Sequence, residues 1–214
     1  MPPLPQYNSH HRGVWRWHLS AHRRSSWPMS DFLRTIFDSS GFGDVVVTRT
    51  DDRCSAQFGT ADSPVVTIER IGPPTRPSIP IGTRDASCLV ARVNDRPMKV
   101  LPGPGRVRRR SYRVVVEIDD RVLTLEPKSE AVCRFLNGRP GEIDQSFCVF
   151  ILMNNGTVCV EWATPTTTEV RGHTVEPPRP TDEDVLIGFA LAAAFGIGSL
   201  SVVSIIIGFI GAIG

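Results

Sequence analysis

Thr181-Asp182-Glu183-Asp184-Val185-Leu186-Ile187-Gly188-Phe189-Ala190-Leu191-Ala192-Ala193-Ala194-Phe195 decides how this chain is read. Three acids behind a threonine make a helix start: a hydroxyl or carboxylate satisfies free backbone amides, and negative charge favours the positive end of the helix dipole. The run after Asp184 has no polar side. Val185, Leu186, Phe189, Leu191 and Phe195 fall all around a helix, so its surroundings must be apolar on every side. Charge stays absent for thirty residues, from Val185 to Gly214. One helix of that length would run about 45 Å against a hydrocarbon core of about 30 Å. A break at Gly196-Ile197-Gly198-Ser199 is expected, leaving 185–195 and 200–213, each shorter than the ~20 residues of an ordinary span. Two surroundings stay open for the tail 181–214. It is a membrane anchor, with Gly188, Ala192 and Gly196 suited to close helix contact, or it plugs a β-barrel.

Upstream, from Asp44 to about Val175, short runs rich in Val, Ile, Thr and aromatics alternate with Gly, Pro, Asn and Asp, the signature of an all-β domain. Strands are predicted near 44–49, 54–59, 64–70, 88–93, 97–101, 107–118, 121–126, 131–136, 144–153, 157–163 and 168–175. Asp119-Asp120, Asn137-Gly138 and Asn155-Gly156 read as hairpin turns. The prolines and glycines of 72–87 forbid a central strand and predict a long surface loop. Val90 to Arg96 echoes Val115 to Arg121 at a constant offset of 25, which two similar hairpins, or a duplicated barrel half, would produce.

The amino-terminal residues differ in kind. Residues 1–28 hold four Arg and no acid, four of the five His and three of the four Trp, without the apolar stretch of a signal peptide. They read as a disordered basic arm, or as residues preceding a natural start at Met29. Phe32, Leu33, Ile36 and Phe37 then predict a short helix with its lead-in over 29–43. Apart from the arm, 20 basic residues face 22 acidic ones, so no global basic footprint for nucleic acid exists. Cys54, Cys88, Cys133, Cys148 and Cys159 are odd in number with no C-x-x-C pair, and read as reduced structural thiols of a cytosolic domain.

Many short strands followed by the all-round apolar helix Asp184-Val185-Leu186-Ile187-Gly188-Phe189-Ala190-Leu191-Ala192 resemble the tubby-like, LURP-one-related and phospholipid-scramblase group. The resemblance covers roughly residues 44–197 and is architectural. It implies a barrel closed around a carboxyl-terminal helix. The added apolar stretch 200–214 departs from that pattern, and no acidic calcium segment of the scramblase kind is present.

Catalysis is argued against by scarcity. Beyond the arm the only histidine is His173, beside Pro177, Pro178 and Pro180, so a Ser or Cys nucleophile lacks a base, and phosphate loops, H-E-x-x-H and G-x-S-x-G are absent. No catalytic residue, metal site or cofactor is expected; His18 and His22 stand at ligand spacing without a third ligand. Arg106, Arg108, Arg109, Arg110 and Arg113 form the densest charge cluster of the domain. Such a cluster is a solvated loop and edge strand, or a contact for anionic lipid headgroups, since guanidinium pairs phosphate bidentately. The expectation is a mainly β protein: a β-barrel or strongly curved antiparallel sheet over 44–180, with one apolar carboxyl-terminal helix. Its function is expected to be non-enzymatic membrane or lipid association with the β domain in the cytoplasm. The alternatives are a soluble interaction domain with a buried helix, and a single-pass protein anchored by its carboxyl terminus. Neither nucleic acid nor a small-molecule substrate is expected as a partner.

Overall fold

Apolar residues at every second position recur from strand to strand, and the turns between them are mostly short, so each strand pairs with the next. The computed structural model describes residues 33–38, 41–60, 62–106, 108–140, 145–153, 158–168 and 173–198. The arm 1–28, the Asn155-Gly156 turn and the segment 199–214 lie outside the described residues. The strands are β1 (Leu33–Asp38), β2 (Asp44–Arg49), β3 (Arg53–Phe58), β4 (Val65–Arg70), β5 (Leu89–Val93), β6 (Arg96–Pro102) and β7 (Val114–Ile118). They continue with β8 (Arg121–Pro127), β9 (Val132–Asn137), β10 (Ser146–Leu152), β11 (Val158–Trp162), β12 (Thr166–Thr168) and β13 (His173–Val175), and one helix, α1 (Asp182–Phe195), comes last. Strands β1 to β11 form a single antiparallel meander in sequence order; β12 and β13 make a separate hairpin.

Register keeps one face apolar throughout. Val47 lies opposite Ala56, Ala56 opposite Val66, and Val66 opposite Val93. Farther on, Val100 faces Val116, Val116 faces Leu123, Leu125 faces Phe135 and Phe150 faces Val160. All these side chains are buried in one core with α1, as a period-2 pattern requires.

The sheet is strongly curved. Helix α1 touches β2, β3 and β4, and it also touches β8, while Gly188 lies against Phe135 of β9 and Phe189 packs edge-on to Phe150 of β10 at 5.4 Å. In a flat sheet β3 and β9 would be about 29 Å apart, six strand spacings, whereas a helix is only about 10 Å across. The sheet must therefore curl round it. Phe42, in the β1–β2 connection, reaches Trp162 of β11 at 4.8 Å, yet β1 and β11 do not pair. The expected closed barrel is corrected to an open, curled sheet.

Three local readings also change. Residues 33–38, expected within a short helix, form β1, because Phe37 and Val45, Thr35 and Val47, and Leu33 and Arg49 fall into ladder register across the 38–44 connection. The apolar spacing of Leu33, Ile36 and Phe37 suits either structure, and the neighbouring strand decides. The strand expected over 107–118 begins only at Val114, after a 3₁₀ turn at Arg109–Tyr112. The strand expected over 168–175 is the end of β12 together with β13. The internal echo is a hairpin repeat: Asn94 and Asp119, 25 residues apart, each take a left-handed φ (52° and 51°), which Asn and Asp tolerate best.

Helix α1 begins as its acids imply. Thr181 Oγ1 accepts from the Asp184 amide at 3.3 Å, and Asp184 Oδ2 accepts from the Thr181 amide at 2.9 Å, a reciprocal capping box. Val185, Leu186, Ile187, Phe189, Leu191 and Phe195 are all buried, on every side of the helix. Gly188 is needed for close approach: a Cβ there would lie 3.1 Å from the Phe135 ring and 3.3 Å from Phe150.

Candidate membrane-contact site

The two ends of α1 meet opposite chemistries. At its amino end, Arg121 donates to Asp184 at 2.8 Å, and Arg96 pairs with Glu183 while bonding Asp119 at 2.7 Å. Arg96 and Arg121 each open the second strand of the two echoed hairpins, so the repeat supplies both clamps. At its carboxyl end, the Ala194 carbonyl accepts from the Ile81 amide at 2.9 Å, which fastens the 71–88 loop to the helix.

Arg84 organises this second end. It is buried at 8% exposure, donating from Nε to the Gly103 carbonyl at 2.7 Å and from Nη2 to those of Tyr112 (2.7 Å) and Arg113 (3.2 Å). Its guanidinium lies 5.5 Å from the ring centres of both Tyr112 and Phe195. Burial and the neighbouring Arg76 cation pull its pKa down to about 10, so it stays charged at neutral pH. Cation–π contact and the negative end of the helix dipole replace a carboxylate partner. By taking the carbonyls of Gly103, Tyr112 and Arg113, Arg84 bends 103–113 into a compact loop, whose Gly103 amide bonds the Arg113 carbonyl at 2.7 Å and whose Gly105 amide bonds that of Ser111 at 2.7 Å. Those contacts are why β7 starts late.

The sequence cluster divides on this loop. Arg106, Arg108, Arg109 and Arg110 are exposed and make no ion pair among the described residues; Arg109 donates to the Lys128 carbonyl. Arg113 is taken out of the exposed set. It pairs with Glu126, which also accepts from Arg134 at 2.8 Å, and all three are largely buried. Burial alone would push the Glu126 carboxyl up, but the two guanidiniums outweigh it and hold it below the usual carboxylate value. Arg76, half-buried and bonded to the Gly105 carbonyl at 3.0 Å, joins the four exposed arginines from another loop. Nothing in the sequence order of Arg76 hints at this; only the fold brings it there.

Residues 196–198, which follow α1, stay at this end. The Gly198 amide donates to Cys133 Sγ at 3.0 Å, φ is +89°, and a Cβ would run into the Glu130 carbonyl. Only glycine fits this exit beside the β8–β9 turn. The segment 199–214, sixteen uncharged residues, therefore starts next to the turn that Arg109 grips.

No family model, curated protein or solved structure matches the chain. Among the described residues no three His, Cys, Asp or Glu side chains are grouped to hold a metal ion, and no helix is long and apolar enough to cross a membrane. The anchor reading is corrected for 185–195, because the large apolar side chains there are buried within the protein.

The thiols give a direct check on this packing. Cys54 and Cys133 are buried, with burial pushing each up to about 12; Cys148 is enclosed and raised as well. Cys88 and Cys159 are only half-buried. A thiol reagent at pH 8 is expected to modify Cys88 and Cys159 in the native protein and the other three only in denaturant, since thiolate is the reactive form. Mass spectrometry of the labelled peptides reads the order, and rapid native labelling of Cys148 would contradict it.

Proposed function

We propose that this is a non-enzymatic membrane- or lipid-associated β protein that contacts anionic bilayers through 199–214 and the arginine loop, with the β domain on the cytoplasmic side. One observation carries the reading: Gly198, after which the uncharged segment 199–214 follows, lies against the β8–β9 turn, and to that turn is bonded a loop bearing four arginines without an ion pair among the described residues. Apolar burial and attraction to anionic headgroups then act at the same place, and neither alone holds a protein firmly at a surface. A curled meander around a carboxyl-terminal helix also supports the tubby-like reading of the architecture.

Burial of the large apolar side chains of α1 favours a second reading, a soluble structural or protein-interaction domain. Flotation with vesicles of phosphatidylcholine and phosphatidylserine separates the two. The full chain is expected to float, and a chain ended after Gly198 to bind at least about tenfold more weakly while keeping its circular dichroism. Equal binding by the two chains, or none by the full chain, would favour the soluble reading.

A further inference from the structure

In a meander the connections fall alternately at two ends, and here the charges divide with them. One end holds Asp95, Asp119 and Asp120 in turns together with Asp182, Glu183 and Asp184 of α1, where Arg96 pairs with Asp119 and Glu183 and Arg121 with Glu183 and Asp184. The other end gathers Arg76 from the 71–88 loop, Arg106, Arg108, Arg109 and Arg110 from the 103–113 loop, and Lys128 from the β8–β9 turn. Among the described residues none of these six is ion-paired. The acids in the connections at that end are Asp85, Glu130, and Asp51 and Asp52 between Arg49 and Arg53, and at the adjoining strand ends Glu69 pairs with Arg53 and Glu126 with Arg113. Hydrogen bonds lock the three basic segments into one surface: Arg84 joins 71–88 to 103–113, Arg76 reaches Gly105, and Arg109 reaches Lys128. Gly198 emerges against the third of them.

We propose that this basic end as a whole, with Arg76 and Lys128 as well as the arginine loop, is the face set against an anionic bilayer, so that α1 stands along the membrane normal with its acidic amino end in water. The inference rests on the membrane reading above and adds a surface and an orientation to it. An anionic surface attracts the basic end and repels the acidic one, so charge alone orients the domain before any apolar residue inserts. The bilayer is favoured over a soluble polyanion because the uncharged segment 199–214 follows Gly198, which lies against the turn carrying Lys128, and a polyanion would have no use for such a segment.

The test uses the full chain and vesicles of phosphatidylcholine with or without phosphatidylserine. Arg76→Glu with Lys128→Glu reverses two charges on the proposed face; Arg92→Glu with Lys99→Glu makes the same change on exposed strand positions of β5 and β6. The first pair is expected to weaken binding to the anionic vesicles by at least about 25-fold, the second by far less, with unchanged circular dichroism in both. A fluorophore on Ser129→Cys, in a background with Cys88 and Cys159 replaced by serine, should be quenched by lipid-borne quencher, and one on Asp120→Cys should not. Equal losses from the two pairs, or quenching at Asp120→Cys, overturns the orientation even where removal of 199–214 still abolishes flotation. Binding of nucleic acid but not vesicles by the wild type, lost in the first pair, would assign the face to a polyanion and overturn the proposal.

Discussion

Ile187→Arg is expected to unfold the β domain. Ile187 is fully buried at the middle of α1 and enclosed by the curled sheet, and Asp184, one turn before it, is already held by Arg121. An unpaired guanidinium there loses its hydration and overpacks a close-packed core. Such a buried charge costs about 3–5 kcal/mol or more, a large part of the 5–15 kcal/mol that holds an ordinary domain together. The matched control is Ala193→Arg, on the half-buried stripe of the same helix, where the long side chain can reach water and the cost stays near 1–2 kcal/mol. Urea titration followed by circular dichroism, with limited proteolysis of residues 44–162, measures both. A domain as stable with Ile187→Arg as with Ala193→Arg would mean that α1 is not core.

Ending the chain after Pro180 should be at least as damaging. It removes seven large buried side chains, Val185, Leu186, Ile187, Phe189, Leu191, Phe195 and Ile197, each worth about 1.5–3 kcal/mol of burial. It also strips the inner face of the sheet of its cover and leaves Arg84 without the Phe195 ring. The product is expected as an aggregate or an expanded chain, whereas the chain ended after Gly198 should keep its thermal midpoint within a few degrees. Size-exclusion chromatography and thermal melts of the two products distinguish the cases. A monomeric, cooperatively melting chain ending at Pro180 would show that the sheet closes on itself without the helix.

Strand content was legible because period-2 apolar spacing and turn residues are local signals. Nearly every boundary from β2 to β11 falls within a few residues of the expected one. The helix was equally clear, since Thr181 and three acids cap it in any surroundings. Where two structures fit the same local pattern, the sequence was silent. Leu33, Ile36 and Phe37 suit helix or strand, and pairing with β2 selects the strand. Residues 107–113 look like strand until Arg84, distant in sequence, takes their carbonyls and bends them.

Local sequence signals specify an antiparallel β protein with one helix apolar on all sides, because propensity, capping and hydrophobic period act over a few residues. Tertiary structure alone decided that protein surrounds this helix, that the sheet curls without closing, and that the charges segregate. A nearly neutral chain became a polarised domain because alternate turns of a meander fall at opposite ends. Arg76, Lys128 and the arginine loop, up to 52 residues apart, share one surface for that reason, and Arg113 leaves it because Glu126 lies across the sheet within reach.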